Sequence, residues 1–436
     1  MAGLAVLAAS VAAGQDWNQW RGADRDGVSE GAAWPERLDA EALRQVWRRG
    51  GLGPSYSSPV VSGGLIYTTE NSESATEGVL AFDQETGEPR WARSWSVHFD
   101  MPESVASTLG NWPKSTPTVA GDELLFLGIA ERLHSLDART GESRWSLDFP
   151  RHFGTPAPEF GSSTSPLVWG SSVYVQAAGA LVAVDRRTGE VRWRVLDLFA
   201  AEKGAAQAEH EDLEAYGSPI LATVAGTPQV VAHTVEGLAG VDAHSGEVLW
   251  QVAVDRGPGD SPNVTPTLWW GAGADRSNAL VLTSTESSGT PMYRIAKKGS
   301  TFSAEEIWRS KVHGNMASPV IAGDRAYLPL KNGRLAFLDL GTGREVWISK
   351  PLFRSYASAV RRGDKMLLLS TDGRLHLLKA TDDRIALLDE RQVAERTWAH
   401  LAVQGDRIFV RSHGSLLAFE WTAPRPGRSD PQSTGR

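Results

Sequence analysis

One pattern returns five times along the chain: an aspartate, then Thr-Gly or Ser-Gly three and four residues later, then a tryptophan four residues past the glycine. The copies are Asp83, Thr86, Gly87 and Trp91; Asp137, Thr140, Gly141 and Trp145; Asp185, Thr188, Gly189 and Trp193; Asp242, Ser245, Gly246 and Trp250; and Asp339, Thr342, Gly343 and Trp347. A period of this length means one supersecondary unit per repeat, stacked on its neighbours to build the core. The chemistry of the unit is that of a tight hairpin. The aspartate bonds its own turn, the glycine supplies a positive φ, and the tryptophan lies on the returning strand.

Upstream of each hairpin stand two further strand signals, such as Ser58–Tyr67 and Ser318–Tyr327, split by Gly-Gly or Gly-Asp, so each unit reads as four antiparallel strands. The aspartates are 54, 48, 57 and 97 residues apart, and the last gap holds a degenerate unit that ends at Trp308. A seventh unit follows at Gly363–Leu378, with Lys379, Asp382, Asp383 and Leu387 standing where Asp, Thr, Gly and Trp are expected. The last, from Trp398 to Trp421, holds three strands, and Leu43–Trp47 supplies the fourth. Joining the two chain ends in one blade closes the ring and removes its open edges. The expected fold is all-β: an eight-bladed propeller of four-stranded antiparallel blades, closed by the N-terminal strand, with Trp47, Trp91, Trp145, Trp193, Trp250, Trp308 and Trp347 as anchors between blades.

The repeat resembles the tryptophan-docking unit of propellers of the pyrroloquinoline quinone (PQQ) type over roughly residues 41–421. That resemblance implies two functions of different class. One is a quinoprotein dehydrogenase of alcohols or sugars, with PQQ, a calcium ion held by carboxylate and amide oxygens, an aspartate base and, in many members, a disulfide ring of adjacent cysteines. The other is a cofactor-free scaffold like the outer-membrane protein assembly factor B. The opening Trp17, Trp20, Arg21 and Gly22 also resemble the start of many exported PQQ-like repeat proteins of unassigned role.

The chain has no cysteine, so the disulfide is impossible. Calcium needs several convergent oxygen ligands, and the nearest pairs are Asp260 with Asn263 and Glu103 with Asn111. The ten histidines show no paired metal spacing, and neither a nucleophile elbow nor a phosphate loop appears. A net charge of −8, without a basic run, argues against nucleic acid. Residues 1–14 form an apolar, small-residue run ending in Val-Ala-Ala, which reads as the remnant of a secretory signal, and no later run is long enough to span a bilayer. The expected organisation is that leader, an N-terminal extension at 15–40, the propeller at 41–421 and a disordered tail at 422–436, in a periplasmic or secreted monomer.

A second repeat bears on function. The residue just before each innermost strand belongs at one mouth of the axial channel, and these are Tyr56, Trp112 with Lys114, Ser162, Tyr216, Asn263, Asn315 with Met316, Tyr356 and Trp398. Aromatic faces with amides and one lysine suit a planar, carbohydrate-like or extended peptide ligand. The same residues also serve as padding that plugs the channel. In quinoprotein enzymes a basic side chain near the axis contacts the quinone, and Lys114 is the lysine of this set. The longest connections, 96–112 and 198–216, reach the same face and mark it as the partner-binding side.

The expected function is therefore an exported, non-enzymatic propeller that binds a protein partner, or a small or extended ligand, through Tyr56, Trp112, Lys114, Tyr216, Asn263, Asn315, Tyr356 and Trp398, with no catalytic residue, metal or cofactor. The alternative is a PQQ- and calcium-dependent dehydrogenase.

Overall fold

The turn chemistry builds each blade from the outside in. The Asp83 carboxylate accepts hydrogen bonds from the backbone N–H of Glu85 at 3.0 Å and of Thr86 at 2.9 Å, and from the Thr86 hydroxyl at 3.0 Å. Gly87 then closes the turn at φ +67°. Asp137, Asp242 and Asp339 hold their turns in the same way.

The computed structural model describes residues 15–422 except 73–75, 100, 102, 104–105, 107–109, 201–214, 258–259, 272–276, 315 and 382–383. The leader at 1–14, most of the 198–216 connection, Asn315, Asp382, Asp383 and the tail from 423 lie outside the described residues. The described strands form eight four-stranded antiparallel sheets. Seven are consecutive in sequence, beginning with the strands Val60–Ser62, Thr118–Ala120, Leu167–Trp169, Ile220–Val224, Thr267–Trp269, Val320–Ala322 and Ala357–Arg362. The eighth joins Ala402–Gln404, Arg407–Arg411 and Ser415–Trp421 to the N-terminal strand Leu43–Gly50. Leu43 pairs with Trp421 and Gly50 with Ser415, so the seam is a full antiparallel ladder. The first strands of most neighbouring blades touch one another, which places them at the axis.

In every blade the outermost strand carries a bulge at one place: its register skips one residue just before the tryptophan position. The extra residue re-aims the side chain across the gap between blades. Trp47, Trp91, Trp145, Trp193 and Trp308 lie over Gly87, Gly141, Gly189, Gly246 and Gly343 of the next blade, where a Cβ would come within 2.4–2.8 Å of the indole. Four of these indoles donate to a backbone carbonyl there, of Gln84, Ala138, Arg186 and Leu340.

Two positions depart from the repeat. Trp250 bonds Gln229 of its own blade at 2.7 Å and lies over its cross-strand partner Gly240, which leaves room that the Ala, Ser or Phe of other blades would fill. In the seventh blade Asp389, not Leu387, pairs with Leu377 at the tryptophan register, because the hairpin is two residues longer, and Leu387 is 44% exposed. The missing indole is replaced by the N-terminal segment. Trp34 stacks with Trp421 at 6.4 Å and Leu38 caps Asp389 through its N–H at 2.6 Å, both side chains being fully buried.

The rest of that segment runs up the axis and touches every blade. Asp16 accepts from Ser62 and Gln404, both at 2.7 Å. Trp17 pairs with Val61, and Asn18 exchanges two 2.8 Å bonds with Val119. Trp20 donates to Thr265, Arg25 and Arg21 reach the third, fourth and sixth blades, and Gly27 and Ser29 pair with Arg361 of the seventh.

Candidate functional site

The residues that open the inner strands form a chain of side-chain to backbone hydrogen bonds around the mouth. Each Ser or Thr preceding the inner-strand proline accepts a hydrogen bond from the matching backbone N–H of the blade before it: Ser58 from His400, Thr116 from Ser58, Ser165 from Thr116, Ser218 from Ser165, Thr265 from Ser218 and Ser318 from Thr265, all at 2.8–3.1 Å. The circuit breaks at Ser358, whose buried hydroxyl has no partner. These bonds hold the channel mouth at a set radius and aim the residues just upstream across the opening.

The result is a cavity of about 320 Å³. Tyr56, Lys114, Tyr216, Asn263, Tyr356 and Trp398 line it, so the structure brings together six of the eight residues singled out from the sequence. Trp112 stands behind the wall, edge-on to Tyr56 at 5.2 Å and to His413 at 4.7 Å. Asn315 lies outside the described residues, while its neighbour Met316 lines the cavity at 36% exposure. Ser162 is buried against a different, smaller cavity.

The aromatic wall is built of two groups of rings. Tyr356 stacks on Trp398 with ring centres 5.2 Å apart and planes 17° from parallel, and Tyr56 approaches Trp398 at 5.8 Å. Phe160 meets Tyr216 edge-on at 6.4 Å, and its carbonyl accepts from the Lys114 ammonium. The floor is Trp20, which comes from the axial segment and sits 4.1 Å from the His400 ring. Sequence reasoning missed Trp20 and His400. Their signal was weak, because Trp20 lies outside the repeat and His400 stands where six other blades carry the Ser or Thr of the hydroxyl circuit.

Charge is scarce at this mouth. Tyr356 and His400 share a hydrogen bond of 2.5 Å. Burial holds the Tyr356 phenol well above its usual range, and burial with the nearby Arg21 pulls His400 down to about 3, so the pair is neutral at ordinary pH. Glu286 accepts from Asn263, and burial followed by the Asp260 charge raises its carboxyl above the usual range. Asp260 is spent on the Ser287 hydroxyl and backbone and on the Gly257 N–H.

This donor set does not fit PQQ with calcium. Calcium takes roughly six to eight oxygen ligands, usually several carboxylates, and the described cavity lining carries none. Among the described residues no three or more His, Cys, Asp or Glu side chains converge. Neither sequence pair supplies the set by itself, since each brings one carboxylate and one amide oxygen, and Asp260 already accepts from Ser287 and Gly257. PQQ is itself a tricarboxylate, and Lys114, which already donates to a carbonyl, is the cation of the lining.

The family described as outer membrane protein assembly factor BamB matches residues 76–349 and 298–429. No curated protein matches the sequence. Among solved structures, BamB from Moraxella catarrhalis is 15% identical with a TM-score of 0.59, covering 87% of this chain and 98% of its own. Quinohemoprotein alcohol dehydrogenase ADHIIG from Pseudomonas putida HK5 is 15% identical with a TM-score of 0.63, covering 94% and 82%. The enzyme from Comamonas testosteroni is 14% identical with the same score and coverage. At these identities the likeness is one of fold.

Proposed function

The chain belongs to the PQQ-like propeller family described as outer membrane protein assembly factor BamB, and from that premise we propose that it is an exported, non-enzymatic binding module whose channel-mouth face receives a protein partner or a small or extended ligand. One observation carries the reading. The mouth cavity is walled by the rings of Tyr56, Tyr216, Tyr356 and Trp398, floored by Trp20, and lined by no described carboxylate. Aromatic walls with a few polar groups are what a concave binding site offers, whereas calcium-assisted oxidation needs a converging acidic set. Export rests on the apolar run at 1–14 and on the resemblance to exported propellers.

Calorimetric titration of the full chain with PQQ and Ca²⁺ tests the choice, alongside dye reduction with alcohols and aldoses. The expected result is no saturable heat and no PQQ-dependent turnover. Turnover that disappears in Lys114→Ala overturns the reading in favour of a dehydrogenase.

A further inference from the structure

The segment at 15–32 is bound in the axis as a ligand is bound, and the neck that holds it is made of backbone carbonyls. Arg25 is 2% exposed. It donates to the carbonyls of Ser165 at 3.1 Å, Pro219 at 2.9 Å and Pro166, and to the Gln19 side chain at 2.8 Å. Arg21, equally buried, donates to the Pro319 carbonyl at 2.5 Å and the Asp26 carbonyl at 2.8 Å. Neither guanidinium forms a described ion pair. Burial pulls Arg25 down to about 9 and Arg21 to about 10, so both stay charged at neutral pH.

The backbone presents these side chains through an uncommon conformation. Arg21, Gly22, Arg25 and Gly27 all have φ between +59° and +88°. Gly22 lies under Trp17, where a Cβ would be 2.9 Å from the indole. The Pro166, Pro219 and Pro319 carbonyls that accept these bonds stand just before the inner strands, and those of Pro166 and Pro319 also accept from the Thr118 and Thr267 hydroxyls.

We infer that the neck of the channel is a peptide-binding site for a Trp-Arg-Gly-x-x-Arg segment, filled in this chain by its own residues 15–32. The ring of carbonyls reads two guanidiniums four residues apart, and the indole of Trp17 packs on the Gly22 between them. Filling the neck also sets the floor of the mouth, because Trp20 lies between the two sites.

Residues 30–33 are exposed, so a protease site inserted between Ala32 and Ala33 makes the segment separable from the folded full chain. After cutting, the freed N-terminal peptide is expected to remain with the ring through size-exclusion chromatography and to appear bound in native mass spectrometry. With Arg21→Ala and Arg25→Ala together, release should be faster by roughly 30-fold or more, as for a truncated, buried, hydrogen-bonded charge. Arg25→Lys, which keeps the charge and loses the planar fork, should fall between. A synthetic peptide of residues 15–32 should rebind to the emptied ring, and its Arg25→Ala form should not. The inference is overturned if the wild-type peptide leaves during the column run while the ring stays folded, or if the arginine variants are retained as well as wild type. Either outcome leaves the reading of the mouth cavity to its own titration.

Discussion

The backbone N–H of Thr116 donates to Oγ of Ser165 at 3.0 Å, across the boundary between the second and third blades. It is one link of the hydroxyl circuit around the mouth, and both residues are at most 1% exposed. Removing the hydroxyl strands a buried N–H, which costs about 1–3 kcal/mol. Ser165→Ala should therefore lower the urea midpoint by an amount in that range. Ser165→Thr should lose much less, because Thr116 and Thr265 serve the same role in other blades.

Gly87 answers to two constraints at once. Its φ of +67° disfavours any side chain, and a Cβ would stand 2.6 Å from the Trp47 indole. Gly87→Ala should destabilise by about 2–4 kcal/mol, combining backbone strain with overpacking. Gly63→Ala, at φ +60° with nothing within 4 Å, isolates the strain and should cost about 1 kcal/mol. The difference between the two unfolding midpoints measures the packing of Trp47 alone.

Arg411 latches the eighth blade to the first. It is fully buried on the eighth blade and donates to the Thr68 hydroxyl at 3.1 Å and to the carbonyls of Thr69 at 3.1 Å and Gly53 at 2.5 Å. Arg411→Met keeps the apolar stem and strands these acceptors, so stability should fall by about 2–4 kcal/mol. Amide hydrogen exchange should rise first at 65–69 and 407–411, because Arg411 joins those two strands across the boundary between the eighth and first blades.

Acid should weaken the protein well before its carboxylates titrate. His134, His233 and His400 are buried, and burial pulls each from 6.5 down to about 3. The unfolded chain binds these protons first, so their contribution is complete above about pH 6.5 and is lost as pH falls toward 3, by at most about 1.4 kcal/mol per pH unit for each. Denaturant midpoints should be level from pH 7 to 8 and decline from pH 6 to 4. His134→Phe, which keeps the stack on Trp95 at 3.7 Å, should make that decline shallower.

Much of the ring was legible because its signals are local. A hairpin with Asp83, Thr86 and Gly87 contains its own hydrogen bonds, and the Trp that follows reports the next blade without reference to anything distant. The closing strand at Leu43–Gly50 could be placed by counting, since the last unit lacked its fourth strand. The same logic gathered Tyr56, Tyr216, Tyr356 and Trp398 at one mouth, as each precedes an inner strand. Counting failed where hairpin length changed: a two-residue extension moved Asp389 into the tryptophan register, and spacing alone had chosen Leu387.

The order of blades, their closure and the face that carries the aromatic residues were thus determined by sequence, through periodic turn chemistry. The filling of the axis was decided by tertiary structure. Arg25 meets Ser165 across 140 residues and Asp16 meets Gln404 across 388. The partners of Arg25 are backbone carbonyls, which every residue possesses and no motif can mark, and they converge on one guanidinium when the ring is complete.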